Sequence, residues 1–535
     1  MRGGLSRREF IYLTCRAGGV AAGYSALVTL GLLPPPSAYA GPPQLPLGSG
    51  QGTKVVILGA GIAGMVAADI LSKAGYSCLI LEARDRAGGR NWSLRQGDVV
   101  EEIGSKLQRV EWDSGNHMYF NPGPARIPHH HQAILSCCRE LNVPMEIMTN
   151  DNRGAYLHDD IAFNGHPQLA RAVINDARGF VAELAAKAVD KDLLDQPVSV
   201  EDKVKLLDFL RTFGDLDKLH VYRGSERSGF LVPPSVDPGT LANPLDLWQL
   251  LASDFWYDDI NKRSGPKLHF GEHYHQGATM LQPVGGMGRI GEAFARKLKR
   301  LISYGCKVSG IFKTSTGARV VWRQRKKGGI ENSTEADYVI CTIPLPVLSM
   351  INNNFASDIQ HAIRGVPYVP AGKIAFQAER RFWELDHHIY GGISWTTRDI
   401  TQIWYPSSGV HNKKGILVGG YVWDDRTGLD FSKKMPTQRA KDAIADGEQL
   451  HPNYGDYLGK AISVAWPNIP FTGGGWADWK KDIRATYYPI LMKGDGAILF
   501  SGDHMSYLSG WQEGAVLSAH RTVSEIGTRQ SARKT

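Results

Sequence analysis

The chain has 535 residues, 42% hydrophobic and 21% charged, with a formal net charge of +8. That length exceeds what one core serves and predicts two or three domains, and the composition is that of an ordinary globular protein. The positive charge is spread without a Lys/Arg block or an aromatic-interleaved basic stripe, which argues against nucleic acid as a partner.

Residues 1–40 contain Ser6-Arg7-Arg8-Glu9-Phe10, then a mildly apolar stretch, then Ala38-Tyr39-Ala40. The pattern looks like a twin-arginine export signal with a small-residue cleavage site, which predicts a periplasmic or secreted protein handled by the twin-arginine machinery. The alternative is an uncleaved anchor, disfavoured by the short Gly-rich segment and its interruption at Pro34-Pro35-Pro36. The segment carries four arginines against Glu9, so its removal leaves about +5. Residues 41–51 read as a linker.

Val55 to Leu58 is a short apolar run, read as a buried parallel strand. Gly59, Gly61 and Gly64 follow as GxGxxG around Ile62 and Ala63, and Met65 to Lys73 continue with helical spacing. A second strand, Cys78 to Leu81, ends in Glu82, an acid at roughly the 20-residue distance of a dinucleotide-binding βαβ unit. In such a unit the glycines allow close backbone approach, the helix N-terminus faces a pyrophosphate, and the acid accepts from a ribose hydroxyl.

Helical periodicity recurs at 168–188, at 203–213 and around Leu245–Phe255. Residues 280–302 give a Gly-rich turn and an amphipathic helix, 306–322 a strand pair, and Ala336 to Pro344 a buried strand. Residues 366–489 alternate apolar and aromatic positions, as a mixed sheet requires. Five cysteines follow residue 40 (Cys78, Cys137, Cys138, Cys306 and Cys341) without a C-x-x-C, so no disulfide framework is expected. Pro128-His129-His130-His131 is a metal candidate, but consecutive histidines converge poorly on one ion from a regular element, and no metal is expected.

Beyond Glu82, the run Ala83-Arg84-Asp85-Arg86-Ala87-Gly88-Gly89-Arg90 completes E-x-x-x-R-x-G-G-R and resembles the flavin amine oxidase family. Residues 498–520 resemble that family's C-terminal flavin motif, with Gly502-Asp503 and then Gly510-Trp511-Gln512-Glu513-Gly514-Ala515 opening a helix. The resemblance implies FAD, bound without a covalent link because no cysteine lies near Asp503 to Trp511. It also places Val308 near the adenine.

Met118 to His131 resembles the L-amino-acid oxidases, the tryptophan oxidases among them, in its Gly123-Pro124-Ala125-Arg126-Ile127-Pro128 core. The resemblance implies that Arg126 grips a substrate carboxylate, with Gly123 to Arg126 also near the flavin. Lys373, in Pro370 to Phe376, matches a lysine that holds a water near flavin N5. Tyr405 is taken as a second carboxylate ligand, with Trp404 adjacent and the register open, and Trp511 as a pocket wall. The chain departs from the venom-type oxidases in a longer stretch from Asn91 to Asn116.

The expected fold is α/β (α+β overall): a Rossmann-like FAD-binding domain of the GxGxxG two-dinucleotide type, a mixed-sheet substrate domain and an inserted helical domain. The FAD-binding pieces are 52–100, 276–365 and 490–535, the substrate pieces 101–165 and 366–489, and the helical insert 166–275. The expected activity is oxidation of an L-amino acid by O2 to the 2-oxo acid, ammonia and H2O2, with self-association left open. The rivals are an amino-acid 2-monooxygenase giving an amide, an amine oxidase or dehydrogenase on a substrate without a carboxylate, and a flavin-bearing protein without turnover.

Overall fold

A computed structural model describes residues 39–194, 198–256, 269–325 and 329–534. The arginine pair and the apolar stretch after it lie at 1–38, outside the described residues. No helix among the described residues is long and apolar enough to cross a membrane.

The first βαβ unit is β1 (Lys54–Leu58), α1 (Ile62–Lys73) and β2 (Ser77–Leu81). Val55, Val56, Ile57 and Leu58 are all 0% exposed, as a strand covered on both faces requires, and this is why its sequence is a continuous apolar run rather than an alternation. β1 sits in a five-stranded parallel sheet, ordered Ile302–Ser303, β2, β1, Tyr338–Cys341 and Ile498–Phe500. Strands from three distant stretches of chain thus meet side by side. The long C-terminal helix α2 (Gln512–Lys534) packs on α1.

A seven-stranded mixed sheet forms a second layer. Its order is Leu458–Ala465, Gly372–Ala378, Gly415–Val422, Gln402–Tyr405, Gly392–Thr396, Tyr156–His158 and Gln168–Leu169. After the strand Gln168–Leu169 come helices Ala170–Asp190 and Val200–Gly214, which pack against each other around Ala182, Ala186, Leu210 and Tyr222.

Several local expectations shift. Gln168 and Leu169, expected inside a helix, pair as a short strand with Tyr156 and Leu157, and the helix begins at Ala170. The strand pair Cys306–Lys313 and Ala318–Gln324 gains a third strand, Glu331–Ala336. Its sequence, ENSTEA, is almost wholly polar, so it offers no hydrophobic alternation and joins through backbone pairing with Ala318–Gln324. All five cysteines among the described residues are free thiols.

Candidate active site

One cavity of about 900 Å³ runs from the β1–α1 turn to the face of the mixed sheet. Its first end is built by backbone. A side-chain carbon placed on Gly61 meets no protein atom within 4 Å, and α1 starts there with no side-chain cap and no acidic residue in its first turn. The unpaired N–H groups of that turn, with Ile62 and Ala63 on the lining, are suited to a pyrophosphate. Glu82 is 4% exposed, and its carboxylate accepts from the backbone N–H of Ala60 at 2.7 Å and of Arg84 at 2.9 Å. Those contacts aim its remaining lone pairs at the lining, where a ribose hydroxyl can donate.

Gly64 is the exception among the predicted cofactor residues: it does not line the cavity. A carbon on it would stand 2.2 Å from the Gly59 carbonyl oxygen. Its smallness lets the helix press onto the turn. The other predicted positions all line the cavity, from Gly59 and Ala83 through Gly89, Gly123, Pro124, Ala125 and Val308 to Gly502, Gly510, Gln512 and Ala515.

In the middle of the cavity Arg90 pairs with Asp503, which also accepts from Gly510 N–H at 3.0 Å. Arg90 further donates to the Gly475 carbonyl. Burial alone would raise the Asp503 pKa, yet it is held below the usual carboxylate value, chiefly by the Arg90 charge. The pair joins the first glycine-rich segment to the C-terminal motif. Asn91 Nδ2 donates to Gln512 Oε1 at 2.6 Å and repeats the junction. The start of α2, at Gln512 and Ala515, then faces the cavity as a second helix N-terminus, a place that stabilises negative charge.

The far end is aromatic. Arg126 lies 4.6 Å over the Trp404 ring, 5.3 Å from that of Phe270 and 5.8 Å from that of Trp511. Its Nε donates to Gln276 Oε1 at 3.0 Å, and no carboxylate pairs with it among the described residues. Burial pulls its pKa down to about 10, with Tyr421 acting the other way. Lys373 is 2% exposed and donates to the carbonyls of Asn121 at 3.0 Å and Gly123 at 2.7 Å. Burial and then the Arg126 charge push its pKa well below that of an ordinary lysine.

Tyr405 is corrected. It is 2% exposed, shares hydrogen bonds with Ser394 at 2.7 Å and His451 at 2.6 Å, and packs in the core behind the sheet. Successive side chains on a strand point to opposite faces, and it is Trp404 that lines the cavity. Tyr421, Trp423, Phe270 and Gln276 also line it and were missed from sequence. Lys373 pairs in register with Tyr421 on the neighbouring strand, which brings the Lys373 Nζ 4.4 Å from that ring. The repeating apolar–aromatic pattern signalled a sheet there but not which face met the cavity.

The histidines also differ from expectation. His130 and His131 both point a ring nitrogen at His275, supplied from a distant segment, at 3.0 and 3.1 Å.

A family model described as flavin containing amine oxidoreductase matches residues 62–527. The flavin-dependent L-tryptophan oxidase of Lentzea aerocolonigenes is 26% identical over 88% of this chain and 98% of its own length. The L-amino-acid oxidase of Siganus canaliculatus is 25% identical over 88% of this chain and 85% of its own. Among solved structures, cyclohexylamine oxidase from Brevibacterium oxydans superposes with a TM-score of 0.58 over 89% of this chain and 99% of that one, at 16% identity.

Proposed function

The chain belongs to the flavin-containing amine oxidoreductases, flavin-dependent enzymes acting on CH–NH2 groups, and from that premise we propose that it is an FAD-dependent L-amino-acid oxidase. One observation carries the substrate class: Arg126 is a cation walled by aromatic rings, steadied by a neutral glutamine and left without a protein carboxylate among the described residues. A partly buried guanidinium without its counter-charge is costly to maintain. The α-carboxylate of an amino acid supplies that charge in two parallel hydrogen bonds and fixes which face of Cα is presented.

Bound flavin supplies the hydride acceptor, with O2 as the final acceptor to give H2O2. The two helix N-termini, Glu82 and the Arg90–Asp503 pair fit FAD held without a covalent bond. Trp404, Phe270 and Trp511 exclude water around the reacting carbon. Lys373, when neutral, has two N–H groups, and the Asn121 and Gly123 carbonyls accept both. Its lone pair is then left to hold a water on the cavity side. The product imino acid hydrolyses to the 2-oxo acid and ammonia. Arg7-Arg8 and the Ala38-Tyr39-Ala40 segment support export by the twin-arginine route, which carries proteins already folded around their cofactor.

The test is a peroxide-coupled screen of the amino acids with purified yellow protein, followed by product analysis. H2O2 and 2-oxo acid in equal amounts are expected. A carboxamide with CO2 would instead mark a 2-monooxygenase, and turnover of plain amines alone would overturn the substrate class.

A further inference from the structure

The imidazoles of His130, His131 and His275 converge, with His131 and His275 in ring contact with Trp511. Their ligand-capable nitrogens all lie within 4.8 Å of one another. His275 Nδ1 faces both partners, His130 Nε2 at 3.0 Å and His131 Nε2 at 3.1 Å. Nitrogens bound tetrahedrally to zinc at about 2.0–2.1 Å stand roughly 3.3 Å apart, so two of the three separations are already close to those of a ligand set.

We propose that this cluster is a binding site for a borderline divalent transition metal, zinc being the type ion, which ties residues 128–131 to the segment 269–276. Three imidazoles without a carboxylate favour zinc, copper or nickel over magnesium or calcium. The neutral imidazole is the form that binds metal. His130 Nδ1 is buried without a partner, so no acceptor fixes which of its nitrogens carries the proton, and Nε2 is free to present a lone pair.

The position gives the ion a consequence. His131 meets the Trp511 ring edge-on at 5.0 Å, and His275 lies 6.0 Å from the same ring. Gln276, next in sequence, is the hydrogen-bond partner of Arg126. An ion on the three histidines pins both Trp511 and Gln276, and so stiffens the aromatic end of the cavity. The site stands on the histidine geometry alone and does not depend on which amine is oxidised.

The test uses flavin-loaded protein stripped with a chelator, desalted and titrated with zinc chloride by calorimetry, with bound metal counted by elemental analysis. One zinc per chain is expected. H275A and H130A should weaken binding at least tenfold, roughly the scale set by disturbing a metal's ligand environment. H129A and H269A, at exposed histidines outside the cluster, should not. Undiminished flavin absorbance shows that each variant is folded. Cobalt in place of zinc should give the visible absorption of a low-coordinate nitrogen site in the unaltered protein, a readout independent of any variant. No saturable binding, binding unchanged in H275A, a loss that follows H129A or H269A, or an octahedral cobalt spectrum would each overturn the proposal.

Discussion

Trp404 and Tyr405 are neighbours in sequence that face opposite sides of one strand, and this sets what each substitution does. Tyr405→Phe removes a hydroxyl that joins Ser394 to His451 behind the sheet. It should cost about 1 kcal/mol of stability, seen as a lower thermal midpoint, while KM for the amino acid changes less than about twofold, a difference well under 1 kcal/mol. A large KM effect would return Tyr405 to the substrate. Lys373→Met should leave flavin bound and slow flavin reoxidation at least tenfold, about 1.4 kcal/mol of barrier, in anaerobic and aerobic stopped-flow traces. If only the reductive half-reaction slows, Lys373 acts on the substrate instead of a water. Arg126 and Lys373 were legible because their flanking residues match a motif. Gln276 and Tyr421 carry no such local signal, since only the fold brings them to the cavity.

At the scale of elements, the β1–α1 turn separates two uses of glycine. A carbon on Gly61 meets no protein atom and enters the cavity, whereas one on Gly64 meets the Gly59 carbonyl oxygen at 2.2 Å. Gly61→Ala should therefore keep the thermal midpoint of the flavin-free protein and lose flavin affinity. Gly64→Ala should destabilise the protein itself by about 1–3 kcal/mol, the usual cost of overpacking. Differential scanning calorimetry with and without added FAD separates the two, and equal destabilisation by both would contradict the division. The apolar run of β1 and the spacing of α1 were readable because a doubly covered strand and a buried helix leave strong patterns. Glu331–Ala336 was not, because its place is fixed by pairing with Ala318–Gln324 rather than by burial of its own side chains.

Across the whole molecule, the cavity is closed by residues far apart in sequence: Arg90 with Asp503, Asn91 with Gln512, and Arg126 with Gln276. The two ends of the chain announced this junction through their motifs, and the middle did not, because aromatic walls such as Trp404 and Phe270 are indistinguishable in sequence from core residues. The central claim is that Arg126, which has no carboxylate partner among the described residues, is the receptor for an amino acid's carboxylate. Steady-state kinetics of Arg126→Ala and Arg126→Lys, on one amino acid and on its decarboxylated amine, test this most directly. Flavin content should be unchanged. For the amino acid kcat/KM should fall by about 2–5 kcal/mol in the alanine variant, the scale of one lost partner in a buried charged pair, with partial recovery in the lysine variant. The amine should lose far less. Equal losses on both substrates would contradict the account and make Arg126 a support for the fold or the flavin.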